Sequence, residues 1–374
     1  MIFITELYAA PGGERLAVKD LFDTAGVRTT YGSAIFAEHV PTQTAPAVAA
    51  LEAGGYSNVG KANLHEFAWG ITSENEHYGW VPNPIAPGRI AGGSSGGNAA
   101  ALAANLADAA LGTDSGGSVR IPAACCGIVG FKPTFGLVSL EGCFPLAPSF
   151  DHAGPMARDV AACERMLTAL SGYQPSEAPS LGDVRVGLAW TEHADPLVRE
   201  RVEQAAAHFG HVERLDVPFP DGSYAVFMRE AAEVHHDLWR EHREAYGSNV
   251  AAKVERAMQT TDAAVAAAER ARADYRERMA ALLERVDVLV TPTLAVVAPP
   301  AGVGDLALRE QLLRFTYPFN AIGAPALALP CGAAEEGLPA SVQLVGRPGT
   351  DALVLAIGRT LEGSLARSPG SAKT

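Results

Sequence analysis

Residues 87–120 read PGRIAGGSSGGNAAALAANLADAALGTDSGGSVR. Two Gly-Gly-Ser clusters bracket this stretch, with Ser118 standing 24 positions after Ser94. Between them, residues 98–106 are alanine-rich and read as a helix. Residues 107–113 form a short run of small and apolar side chains bounded by turn formers, which reads as a buried strand. Glycine admits positive φ and close backbone approach, and successive amides ahead of a helix make an anion-binding concavity. A hydroxyl in such a place can attack a carbonyl while neighbouring amides hold the developing oxyanion. The plainer reading has each serine capping a helix in a tight turn.

Working outward, residues 16–22, 57–62 and 128–133 are further short strands, and 44–53 a further helix. Strands alternating with helices predict a largely parallel or mixed sheet. Residues 184–190 and 211–217 read as strands flanking an amphipathic helix at 195–209. Residues 224–285 are dense in Ala, Glu and Arg, broken at 246–248, and read as two or three long helices. Strand patterns return at 286–291 and 326–330. No Ser- or Pro-rich linker divides the chain. The expected architecture is α/β: one α/β/α domain over residues 1–367, with a central mixed β-sheet covered by helices on both faces and a frayed tail at 368–374.

The chain has 374 residues, 48% hydrophobic and 19% charged, which excludes a disordered or fibrous protein. Its net charge of −13 argues against binding nucleic acid or an anionic membrane through a broad basic face. Five cysteines without metal-type spacing read as reduced thiols, the adjacent Cys125 and Cys126 as core. The opening MIFITELYAAPGGE lacks the features of a secretory signal. The apolar stretch 99–112 is interrupted by Asn105 and Asp108 and is too short to span a bilayer. The expectation is a soluble cytoplasmic protein without metal or cofactor, and without nucleic-acid or membrane partners.

A nucleophilic serine needs a base. Gly92–Gly96 fits the G-x-S-x-G pattern, but PNPIAPGRI before it is no strand and no histidine follows His242, so the nucleophile elbow of α/β-hydrolases is not expected. Lysine is the other candidate, since Ser-Lys pairings do occur. Lys61, in NVGKANLHEFAWG, ends a run that reads as a strand entering the sheet. Residues 55–61 also fit G-x-x-x-x-G-K, but Ala62 lacks the Mg²⁺-binding hydroxyl and a helical segment precedes Gly55, so a nucleotide site is not expected.

Taken together, GKANLHEFAWG, AGGSSGGNAAALAA and LGTDSGGSVRIPAACCGIVGFKPTFG resemble the amidase signature family. The resemblance runs almost continuously over residues 15–167, including LAVKDLFDTAG and DHAGPMARDV, and returns at DVLVTPTLAVVAPP and TYPFNAIGAPALALPCGAAEEGLPASVQLVG. It implies a Ser–cis-Ser–Lys triad on an α/β/α fold. Ser118 matches the nucleophile, Ser94 the bridging serine after a cis peptide, and Lys61 the lysine. Backbone amides of Ser115, Gly116, Gly117 and Ser118 match the oxyanion hole. Asn98 stands where many members have serine, with no expected effect on the triad. Members usually carry some sixty or more further N-terminal residues, largely helical, so a role of such residues in dimerisation or in lining the pocket is not expected to carry over, and a homodimer is left open.

Lys61 can act as a base only when neutral, which at pH 7 costs roughly 4–5 kcal/mol from a reference pKa near 10.4. Burial without a carboxylate partner can remove about 3–5 units of that pKa. The expectation is therefore that no acidic side chain lies within reach of Lys61. Phe67, Trp69 and Tyr78 are candidates for lining the substrate pocket, with core packing the competing reading. Asp114 and Arg120 read as braces for the nucleophile's loop, His65 and Glu66 as structural, and His235-His236 as a solvated pair. The expected activity is hydrolysis of the C–N bond of small neutral carboxamides, releasing a carboxylate and ammonia or amine. The alternatives are the glutaminase subunit of a tRNA-dependent amidotransferase, which typically carries Asp-Glu where this chain has His65-Glu66, or a carbamate, ester or aryl-anilide hydrolase.

Overall fold

The computed structural model describes residues 1–8 and 12–367. Its frame is one 11-stranded sheet. Across it the strands run Phe3–Glu6, Tyr56–Ala62, Glu14–Lys19, Ala109–Thr113, Ala153–Ala157, Val129–Lys132, Ala326–Ala333, Pro339–Val345, Val288–Pro292, Arg185–Leu188 and His211–Arg214. Glu14–Lys19 pairs in parallel with both its neighbours, as does Arg185–Leu188 with its own. The central pairings from Ala109–Thr113 to Val288–Pro292 are antiparallel. The sheet is therefore mixed, and helices cover both faces, as the sequence predicts.

Side chains alternate between the two faces of a strand, and here the faces differ in kind. Leu16, Val18 and Leu111 join a core of bulky aliphatics with Val48, Leu51, Met166 and Leu167 from the helices Pro46–Ala53 and Val160–Ser171. Ala17, Ala62 and Ala110 instead face the alanines of Gly96–Ala103. Small residues on both sides let this helix lie close to the sheet. At Gly97 the approach is closest, because a Cβ there would stand 2.4 Å from the carbonyl oxygen of Asn63. Asn98 fastens the same helix by donating to the carbonyls of Ala17 and Leu111 at 3.2 and 3.0 Å.

The Ala- and Glu-rich middle forms three helices, Tyr224–His242, Ser248–Met258 and Asp262–Leu283. The first break falls at 243–247, starting three residues ahead of the 246–248 expected from sequence, and Ser248 already opens the next helix. All five thiols are free, and Cys125 and Cys126 are buried. Among the described residues no helix is long and apolar enough to cross a membrane. The 368–374 tail lies outside the described residues.

Candidate active site

The site collects at the ends of two neighbouring parallel strands. Lys19 closes Glu14–Lys19, and Thr113 closes Ala109–Thr113. The Nζ of Lys19 donates to Ser94 Oγ at 2.7 Å and to Thr113 Oγ1 at 2.7 Å. Ser94 follows a cis peptide from Gly93, and its carbonyl accepts from His65 N and Ser73 Oγ, each at 3.2 Å. The next residue, Ser95, donates its N–H to the carbonyl of Ser118 at 3.2 Å. This bond draws the two Gly-Gly-Ser clusters together.

Lys61 is not part of this group, which corrects the expectation from sequence. Its Nζ donates to Phe22 O at 2.5 Å and Thr29 Oγ1 at 2.6 Å, and lies 3.5 Å from Asp20 Oδ1. A carboxylate thus stands beside Lys61, contrary to the expected acid-free surroundings. The reason is strand parity. Lys61 pairs with Val18 in the parallel ladder and so points to the bulky aliphatic face. Lys19, one residue on, points to the face of Ala17, where the helix after Ser94 packs.

The two lysines differ electrostatically as well. Lys19 is fully buried with no carboxylate in ion-pair distance among the described residues, and desolvation lowers its pKa to about 7, against weaker upward pulls from Cys143, Asp114 and Asp151. Burial also lowers Lys61, but there Asp20 opposes it. Asp20 in turn is pushed upward by burial while Lys61 and Thr30 hold it down.

The loop 114–119, which carries Ser118, is braced by Asp114 and Arg120. Asp114 is buried against Arg120 at 2.8 Å and accepts the N–H groups of Gly117 and Val119 at 2.8 and 3.1 Å. Burial alone would push its carboxyl up, but Arg120, Lys132 and Asn320 outweigh that and hold it well below the usual carboxylate range. Asp114 and Arg120 are the braces the sequence suggests. Gly117 sits at φ +136°, where a Cβ would stand 2.3 Å from Thr316 Oγ1. Thr316 Oγ1 itself donates to Gly116 O at 2.6 Å. Ser115 Oγ donates to Asp151 at 2.5 Å. Of the four amides predicted to bind an oxyanion, that of Gly117 is already given to Asp114. Those of Ser115, Gly116 and Ser118 donate to no other group among the described residues.

Ser118 is 7% exposed whereas Lys19 and Ser94 are 0%, and of these three only Ser118 lines a cleft. That cleft is lined by Ser118, Gly116, Trp69, Tyr224, Leu313 and Arg309, among others. Trp69 is thus in the wall of this cleft, although only 1% exposed. Phe67 is not: it is buried among Phe144, His235 and Tyr246. Tyr78 is also away from the cleft, with its hydroxyl donating to Ser33 O. The cleft wall at 69–71 is pinned by a buried ion pair that sequence reasoning overlooks. Lys253 pairs with Asp305 and donates to Trp69 O at 2.6 Å, while Asp305 accepts from Ile71 N.

His65 bonds Asn249 at 3.0 Å, and Glu66 accepts from Ser33 and Gly247, which are structural contacts. His235 corrects the expected solvated pair. It is fully buried, stacked on Trp69 and bonded to Tyr246 Oη at 2.9 Å, and only His236 is exposed.

Fold and site together define an amidohydrolase on a mixed α/β sheet. The chain belongs to the amidase signature family, for residues 13–355 match the family described as Amidase. It is 36% identical to one subunit of the glutamyl-tRNA(Gln) amidotransferase of Thermosynechococcus vestitus, covering 89% of this chain and 80% of that one. It is 34% identical to the 1-carboxybiuret hydrolase subunit AtzE of Pseudomonas sp. strain ADP, covering 92% and 82%. Among solved structures it superposes, with a TM-score of 0.88 and 32% identity, on a chain of a vestigial complex that bears on the origins of an s-triazine catabolic enzyme, covering 96% and 85%.

Proposed function

We propose that the protein hydrolyses a small carboxamide through an acyl-enzyme on Ser118, with Lys19 rather than Lys61 as the base. The contact that carries this reading is the 2.7 Å bond between Lys19 and Ser94. A neutral lysine has one lone pair and two N–H donors. With Thr113 taking one donor, the lone pair is free to accept the proton of Ser94. Ser94 then accepts the proton of Ser118 as Ser118 Oγ attacks the amide carbon. The oxyanion is taken by the amides of Ser115, Gly116 and Ser118. The relay returns its proton to the departing nitrogen, the C–N bond breaks, and ammonia or an amine leaves. Water repeats the path on the ester, and the carboxylate is released.

Reaction with a fluorophosphonate followed by peptide mass spectrometry tests this reading. The adduct is expected on Ser118 and is expected to be lost in Ser118→Ala, which should also abolish turnover without altering the circular dichroism spectrum. An adduct on another residue, or amide turnover by Ser118→Ala, would overturn the assignment. A second reading is supported by the relative named as part of an amidotransferase. In that case the chain would release ammonia from glutamine only when joined to partner subunits. Glutaminase activity of the isolated chain, measured with and without such partners, separates the two.

A further inference from the structure

The cleft next to Ser118 opens into an outer cavity of about 100 Å³, the two sharing Trp69, Tyr224 and Arg309 as common wall. Every charged side chain lining either space is a cation: Arg309, Lys253 and Arg256. This is a local reversal in a chain whose net charge is −13. The three are not equivalent. Lys253 is neutralised by Asp305. Arg256 is exposed at the mouth and makes no ion pair among the described residues. Arg309 is half-buried on the helix Asp305–Leu313, with its guanidinium 5.3 Å over the ring of Tyr224 and one N–H given to Tyr224 Oη. No carboxylate lies within ion-pair distance of it among the described residues, and its remaining donors have no acceptor there. Burial lowers it to about 10, so it stays charged at neutral pH while partly stripped of water.

Arg309 is a half-buried guanidinium with free donors in a cleft that it shares with Ser118, and such a group favours a planar anion. Resting on Ser118 as that nucleophile, we infer that the substrate is an amide bearing a carboxylate, which docks on Arg309 while its carboxamide reaches Ser118. This departs from the neutral substrate expected from sequence. Arg256 adds attraction at the mouth, and the planar fork of Arg309 fixes the carboxylate's orientation. Lys253 serves the wall and not the ligand, because its charge is already engaged by Asp305.

The test uses matched amides that differ only in the remote group: malonamate, succinamate and glutaramate against propionamide, butyramide and valeramide. In the wild-type protein at least one of the anionic amides is expected to have the higher kcat/KM. Arg309→Gln is expected to lower that value about 10- to 100-fold, mainly through KM, and to cost the neutral amides several-fold less than the anionic ones. Protection of Ser118 from fluorophosphonate supplies a second reading that needs no turnover. The preferred anionic amide should slow labelling of the wild-type protein, and slow it far less in Arg309→Gln. Equal kcat/KM or equal protection for charged and neutral members, or an equal loss on both in Arg309→Gln, would overturn the inference while leaving Ser118 as nucleophile. Absence of any label on Ser118 would overturn the catalytic reading beneath it, and this inference with it.

Discussion

The amine of Lys19 lies 2.7 Å from the hydroxyl of Ser94, and both side chains are sealed from solvent. Lys61, one ladder position away on the neighbouring strand, faces the other side of the sheet and meets Asp20. Substitution of the two lysines should therefore fail in different ways. Lys19→Met should lower kcat about 10²- to 10⁴-fold, the usual worth of a positioned base, with little change in KM. Lys61→Met should instead leave Asp20 buried without its counter-charge and destabilise the fold by about 3–5 kcal/mol. Its folded fraction should turn over near the wild-type rate. Steady-state kinetics on folded material, paired with urea midpoints, decides between them. Full activity in Lys19→Met would remove the base assigned here.

The pH profile follows from the same burial. Lys19 accepts a proton only when neutral, and desolvation sets its pKa at about 7. The kcat/KM of an uncharged amide should rise tenfold per pH unit on the acid side and level off above about pH 7. An acid limb centred near 9 or 10 would mean that the base is an ordinary solvated lysine. In Lys19→Met the limb should vanish from whatever activity remains.

Stability should move with pH through this residue, and the sign is fixed. The folded pKa of Lys19 lies below its ordinary value of 10.5. Between the two the unfolded chain therefore holds more protons, and raising the pH favours the fold. The burden is roughly 4 kcal/mol at pH 7 and falls to about 1.5 kcal/mol by pH 9.5. Lys19→Met carries none of it, although it leaves Ser94 and Thr113 short of a hydrogen bond. The wild-type protein should hence gain about 3 kcal/mol relative to Lys19→Met between pH 7 and pH 9.5, read from urea unfolding at the two values. A difference that stays constant with pH would mean that Lys19 is not neutralised by the fold.

Most strands are legible because short apolar runs between turn formers need no tertiary knowledge, and the two Gly-Gly-Ser clusters carry Ser94 and Ser118 directly. Ala153–Ala157 is not legible as a strand: AGPMA has neither alternation nor β-branched residues, and its burial between two strands substitutes for propensity. The choice between lysines needs knowledge of which sheet face receives the serine helix, a relation between segments far apart in sequence. A signal does exist in LAVKD, where Ala17 and Lys19 share one face while Leu16 and Val18 share the other. Small residues mark the face that a glycine-rich helix can approach. His235 misleads for a related reason. The helix Tyr224–His242 buries the stripe holding Phe227, Ala231 and His235, and two adjacent histidines on a helix point in different directions.

Asp114 joins stability to the geometry of the loop around Ser118. Its carboxylate balances Arg120, accepts the amides of Gly117 and Val119, and is approached by Asn320. Asp114→Asn removes the charge but keeps the shape, and turns an amide toward groups that can only donate. Arg120 is then left buried without a counter-charge, which should destabilise the fold by about 3–5 kcal/mol. The folded carboxyl lies well below its ordinary range, so its contribution is fully present above that range and is lost as the pH falls from there toward the depressed folded value. Acid unfolding should consequently be shallower in Asp114→Asn than in the wild-type protein. Because Gly117 turns on this carboxylate, fluorophosphonate labelling of Ser118 should also slow in the folded variant at neutral pH. A variant with unchanged urea midpoint and unchanged labelling rate would show that the loop holds its shape without the Asp114–Arg120 pair.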